Sequence, residues 1–222
     1  VPVVHTIAPF IIERAYEQIK LDFGYQKLGV NLISVGGSFD YSKLGCSHHC
    51  YSDVSLMSHF KNCKIFFPGS ENEFIELFKK NYKKKQINYF RLPDNNHGYK
   101  FKNNQIKTGK GIIVNKGSGI TIAVTGYLLK NIVDLLPLLK KKNINPEVLY
   151  FNSLKPFDSE LVKKSLKKTK KLLTVEELSA HDGLYNLCLK SAVGIKLNKV
   201  KQLAVNDFLH DYGTFEDLCV AS

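Results

Sequence analysis

Short apolar runs alternate with segments of helical period along almost the whole chain, and this alternation limits the fold more than any other feature. "VPVVHTI", "VNLISVGG", "CKIFFPGS" and "INYFRLPD" read as strands in the first half. Between them, "APFIIERAYEQIKLDFGYQ", "SHHCYSDVSLMSHF" and "SENEFIELFKKNY" carry apolar residues at helical spacing. In the last of these, Ser70 stands at the N-cap position and Glu73 completes a capping box. Strands separated by helices predict an α/β protein with open, largely parallel sheets covered by helices.

The segment from Asp94 to Lys107, "DNNHGYKFKNNQIK", is polar and rich in asparagine and reads as a linker. After it the pattern restarts with "GKGIIVNKG", "GITIAVTG", "PEVLYFNSL", "KKLLTVEE" and "KVKQLAVND" as strands. The helical segment "YLLKNIVDLLPLLKKKN" contains Pro137, which predicts a kink or a break. The expected organisation is two α/β domains, residues 1–102 and 103–222.

The net charge of +12 raises the question of nucleic acid. Of the 32 basic residues only Arg14 and Arg91 are arginines, and the lysine runs Lys140–Lys142 and Lys163–Lys171 lie on or beside amphipathic helices. Those lysines read as the wet faces of helices, with no nucleic-acid motif beside them. No apolar run approaches the ~20 residues that a membrane span needs. Nor does the N-terminus have the basic region of a signal peptide. Five cysteines without a regular framework predict reduced thiols and a cytoplasmic protein.

In open α/β sheets, ligands sit beyond the carboxyl ends of the strands. This directs attention to Gly36–Ser38 and the loop after it, "FDYSKLGCSHHCYSD". Cys46, His48, His49 and Cys50 have residue types and a spacing compatible with zinc. A structural zinc site, however, ordinarily draws a second ligand pair from elsewhere, and neither His59, Cys63 nor Cys188 forms one. The expectation is a substrate loop and no protein-bound metal.

The order "HTIAPFIIERAYEQIKLD … GCSHHCYSD … FFPGSENEF … YFRLPD" resembles the pyrimidine-binding domain of transketolases and 1-deoxyxylulose-5-phosphate synthases. "GITIAVTG … NSLKPFDSELV … KKLLTVEE … HDGL … VNDF" resembles the C-terminal domain of the same enzymes. The resemblance implies thiamine diphosphate as cofactor, with Mg2+ on its diphosphate, bound between a pyrophosphate domain and the pyrimidine domain of another chain. It also implies transfer of a two-carbon ketol unit between sugars, in a homodimer or a heterotetramer. On the matching positions, Phe10 would stack on the aminopyrimidine and Arg14, one turn later, would border the same site. His48 would be the catalytic histidine that meets the substrate. His49, in place of the family's usual glutamine, and Asp94, with Arg91 three residues before it as a compensating cation, would be further substrate contacts. Asp53 would be structural. "TVEE" and "HDG" would serve as loop and helix caps in a domain that supports assembly.

Three departures qualify the resemblance. The family's catalytic glutamate and its pyrophosphate domain lie outside this sequence, so the chain is expected to be a fragment or one component of a split enzyme. Asp94 stands where sugar-phosphate enzymes commonly carry a phosphate-binding arginine, and Gly36 and Gly37 replace a basic contact. Leu44 replaces an aspartate. A carboxylate repels a phosphate dianion, so a non-standard sugar is expected. The alternatives are a deoxyxylulose-phosphate-synthase-like or 2-oxo acid dehydrogenase β-like thiamine enzyme, and a non-catalytic assembly or regulatory paralogue.

Overall fold

The computed structural model describes all 222 residues. In the first half, β1 (Val3–Ile7), β2 (Val30–Val35), β3 (Cys63–Phe66) and β4 (Ile87–Arg91) run parallel. In the second half come β5 (Ile112–Asn115), β6 (Ile120–Thr125), β7 (Pro146–Phe151), β8 (Ser153–Lys155), β9 (Lys171–Ser179) and β10 (Lys199–Val205). They form two five-stranded sheets, in the orders β1-β2-β4-β3-β8 and β10-β9-β6-β7-β5. β2 and β4 are buried at nearly every residue, which explains their continuous apolar sequence.

The two sheets are not built from separate halves of the chain. β7 ends at Phe151, and after one residue β8 joins the other sheet, antiparallel to β3. "PEVLYFNSL" therefore contains two strands in two sheets. β5 also pairs antiparallel, with β7. A core cluster of 24 residues draws on both sheets, from Ile11 and Leu32 to Leu172 and Leu184, so the two domains share one apolar interior.

The helices are α1 (Tyr16–Gln18), α2 (Asp53–Ser58), α3 (Glu71–Asn81), α4 (Leu129–Lys141), α5 (Ser159–Thr169), α6 (Leu184–Ser191) and α7 (Phe215–Ala221). The first helical segment is less regular than its periodicity predicts. Wide turns of π type, Pro9–Glu13 and Ile19–Tyr25, flank α1. The backbone N–H of Arg14 donates to the carbonyl of Pro9, five residues back. Such widened turns recur at functional sites because they re-aim side chains. α4 runs through Pro137 without a break.

Two details correct the sequence reading. Ser70 does cap α3, accepting from the backbone N–H of Glu73, but the Glu73 carboxylate turns into the protein and is fully buried. The 94–107 segment has no strand or helix, yet His97, Phe101 and Ile106 are buried, so it is pinned to the core at three points.

Candidate functional site

The site forms where β2 ends. Gly36 has φ +71°, and a Cβ there would overlap the Tyr41 ring; a Cβ on Gly37 would land on the Arg91 guanidinium. The glycine pair thus lets the chain turn sharply while two large side chains pack against its backbone. The loop that follows is closed at its base by paired backbone hydrogen bonds between Ser38 and Cys50.

His48 lies near the tip of this loop, half-buried. Its Nδ1 is 3.0 Å from Ser47 Oγ, which leaves Nε2 as the nitrogen directed elsewhere. The His48 ring stands 5.7 Å from Phe10 and 6.4 Å from Tyr41, centroid to centroid. Arg14 lies over the Phe10 ring at 4.0 Å, a cation–π contact. Phe10, Arg14 and His48, each singled out from sequence, therefore come together, and Tyr41 joins them. Glu13 ties the helical segment to the entrance of α2 by accepting from Ser52 Oγ at 2.6 Å.

Two of the expected substrate contacts fall elsewhere. Arg91 does not face a substrate: its side chain is fully buried. Nε donates to Asp53 Oδ2 at 2.9 Å, Nη1 to Glu177 Oε1 at 2.6 Å and Nη2 to the Cys50 carbonyl at 3.4 Å, and the group lies 4.3 Å over the Phe67 ring. Burial alone would weaken the charged form of Arg91; Asp53 and Glu177 more than offset it and hold the guanidinium charged. His49 is only 5% exposed and meets Phe39 edge-on at 5.1 Å. Burial pushes its pKa below the usual histidine range, and its Nε2 is buried without a hydrogen-bond partner.

Asp94 is exposed, and its backbone N–H donates to Asp40 Oδ2 at 3.1 Å. Burial, and then the charge of Glu177, push the Asp40 carboxyl up to about 7, with Arg91 pulling the other way. Asp94 also borders a cleft of about 430 Å³ with Pro68, Ser70, Glu71 and Phe74 at the entrance of α3.

Tyr41, Asp40 and Glu177 are the residues that sequence reasoning missed. Glu177 carried a signal. In "TVEE" two consecutive carboxylates sit in a buried strand, and alternation turns them to opposite faces, so each needs its own partner. Glu176 finds the backbone N–H groups of Leu184 and Tyr185 and the amide of Gln202, capping α6 as expected. Glu177 finds Arg91. Asp53, expected to be structural, accepts from the Tyr89 hydroxyl as well as from Arg91. The loop's two cysteines face different surroundings, Cys46 exposed and Cys50 buried, and no three His, Cys, Asp or Glu side chains converge on a point that could hold a metal ion.

Two largely parallel sheets, with an aromatic ring, a guanidinium and an imidazole gathered at the carboxyl end of the first, define an α/β protein of the doubly wound class. Residues 1–99 match the transketolase pyrimidine-binding domain and residues 109–211 the transketolase C-terminal domain, and the chain belongs to the transketolase family. It is 31% identical over 198 residues to one of the subunits of the apulose-4-phosphate transketolase of Actinobacillus succinogenes, covering 84% of this chain and 60% of that protein. A 6-deoxy-6-sulfo-D-fructose transketolase subunit from a Clostridium species is 25% identical over 204 residues, covering 90% of this chain and 63% of its own length. Among solved structures, a split-gene transketolase described as an inactive β4 tetramer superposes with a TM-score of 0.87 at 24% identity, covering all of this chain and 71% of the other. The chain thus spans about three-fifths of the curated relatives named here.

Proposed function

We propose that this chain supplies the pyrimidine-binding domain (1–102) and the C-terminal domain (103–222) of a thiamine-diphosphate-dependent transferase that moves a two-carbon ketol unit between sugars. A segment or subunit carrying the pyrophosphate domain completes the enzyme, as a homodimer or a heterotetramer in the cytoplasm. The observation that carries this reading is the meeting of Phe10, Arg14 and His48 at 4.0 and 5.7 Å, in a chain of the transketolase family. The subunit names of its relatives agree with a divided enzyme.

The residues present fit one end of the cofactor. Phe10 offers a half-buried aromatic face to an aminopyrimidine, with Arg14 backing the ring. When bound, thiamine diphosphate supplies the electron sink of the reaction. No group of side chains in this chain suits the diphosphate's divalent cation, so Mg2+ would be held by the completing segment. His48, with Nδ1 occupied by Ser47, directs Nε2 toward a substrate hydroxyl or carbonyl, where imidazole can give or take a proton. Asp94, with Asp40 behind it, lines the sugar's far end. The Asp94 carboxylate there disfavours a bare terminal phosphate and suits hydroxyl groups or another donor.

Calorimetric titration of the completed assembly with thiamine diphosphate and Mg2+ tests the reading. Saturable binding is expected, weakened at least tenfold by Phe10→Ala. An assembly that takes up no cofactor would overturn it. Efficient turnover of xylulose 5-phosphate would overturn the substrate assignment alone.

A further inference from the structure

The His48 loop is held in part from the second domain. Phe39, fully buried, packs with Val205, Phe215 and Leu218 of β10 and α7. The carbonyl of Tyr51 accepts from the backbone N–H of Ser179 at the end of β9. Glu177, also on β9, holds Arg91, and Arg91 in turn donates to the carbonyl of Cys50. That carbonyl is the one that receives the Ser38 N–H at the closed base of the loop. The first two contacts reach from the second domain to the loop itself, and the third reaches the loop through Arg91 at the end of β4.

We infer that Glu177 is a positioning residue for the His48 loop, acting through the Arg91 guanidinium on the Cys50 carbonyl. The C-terminal domain then does more than assemble the protein: one of its carboxylates sets the geometry in which His48 is presented. Arginine suits this role because its planar fork offers donors in fixed directions. Asp53 and Glu177 take one edge and one tip, and the remaining nitrogen is left aimed at the loop. Asp53 orients the fork from within the first domain, and Glu177 couples it to the second. Glu177 Oε2 is buried with no hydrogen-bond partner. The carboxylate is therefore held by Arg91 alone, and what happens at one is transmitted to the other.

The significance of the inference rests on the reading of this loop as substrate-facing, but the test reads the loop itself. Amide hydrogen exchange is measured in the full chain for Ser38 and Cys50, which bond each other, and for Gly69 and His97, which lie at the other interdomain contact. The His48 imidazole is followed in parallel by NMR of labelled histidine. In Glu177→Gln, Ser38 and Cys50 are expected to exchange at least tenfold faster and the His48 resonances to move, while Gly69 and His97 keep their protection. Arg91→Lys keeps a cation between the carboxylates but lacks the fork, and the same pattern is expected there. It serves as the readout where Glu177→Gln does not fold. Unchanged exchange at Ser38 and Cys50, or equal loss at all four amides, overturns the inference. Failure of cofactor binding would instead overturn the proposed function and leave these exchange rates as they are.

Discussion

The two domains meet at two buried carboxylate centres that differ in how completely their hydrogen bonds are made. At Glu73, Oε1 accepts from His97 Nε2 at 2.7 Å and from Ser70 Oγ at 2.9 Å; Oε2 accepts from the Tyr150 hydroxyl at 2.8 Å and Asn152 Nδ2 at 3.1 Å. His97 Nδ1 accepts from the backbone N–H of Tyr99, which assigns the hydrogen to Nε2. At Arg91, one guanidinium faces two carboxylates, and Asp53 Oδ1 and Glu177 Oε2 have no partner. A carboxylate with two donors on each oxygen is held in a single arrangement; the spare acceptor at this centre, Asn152 Oδ1, belongs to a neutral amide. A centre with more anion than cation and spare acceptors depends on its one arginine, and that arginine grips the loop that carries His48. Position follows the same division: Glu73 joins α3 to β7, away from the loop, whereas Arg91 stands at the loop's base.

The difference is open to attack by substitution. Arg91→Met should have the largest effect, because it leaves two buried carboxylates without their cation; a loss of about 3–5 kcal/mol is expected in urea unfolding. Glu73→Gln should cost less, about 2 kcal/mol. The amide keeps the shape and one acceptor oxygen but replaces a charged hydrogen-bond acceptor with a neutral group, and the loop amides should stay protected from exchange. If Glu73→Gln proved the more damaging of the two, the contrast between the centres would be inverted.

The smallest effect is the most diagnostic. Asp40 is raised from 3.8 to about 7 by burial and by the charge of Glu177. Between those values the folded chain binds more protons than the unfolded one, so this group's contribution to stability is present below about pH 4 and is lost as pH rises through 7. Asp40→Asn removes the titration and can still accept from the Asp94 N–H. Melting temperatures at pH 5 and pH 8 should therefore draw closer together in the variant than in the unmodified chain. An unchanged gap would mean that the Asp40 carboxyl is not raised in the folded chain.

Much of this architecture was legible in the sequence, because parallel α/β folds write their strands as apolar runs and their helices in a different period. Phe10, Arg14 and His48 were legible for a related reason: they sit in local motifs, within one turn or one loop of their defining neighbours. What escaped depends on distant partners. "PEVLYFNSL" has one apolar pattern, and nothing in a period of two says that the chain changes sheets at Asn152. Glu73 matches a local capping pattern, yet one oxygen of its carboxylate goes to Tyr150 and Asn152 of the other domain. Arg91 invited a substrate role because it lies three residues before Asp94, where relatives carry an arginine, yet its two carboxylate partners lie on other elements, one of them 86 residues away in the sequence.

The placement of β8 bears on how the chain is made. β3 would be the outer strand of the first sheet if the second half of the chain did not cover it. During synthesis the ribosome releases β1 to β4 well before residues 153–155, so for that interval the sheet has a bare edge on the side of β3. Unpaired strand edges are where nascent chains associate with one another. The charges that crowd "KKNYKKK" at the end of α3 precede β4 in the chain, so they are already present throughout that interval and oppose such contacts until Ser153–Lys155 is laid down.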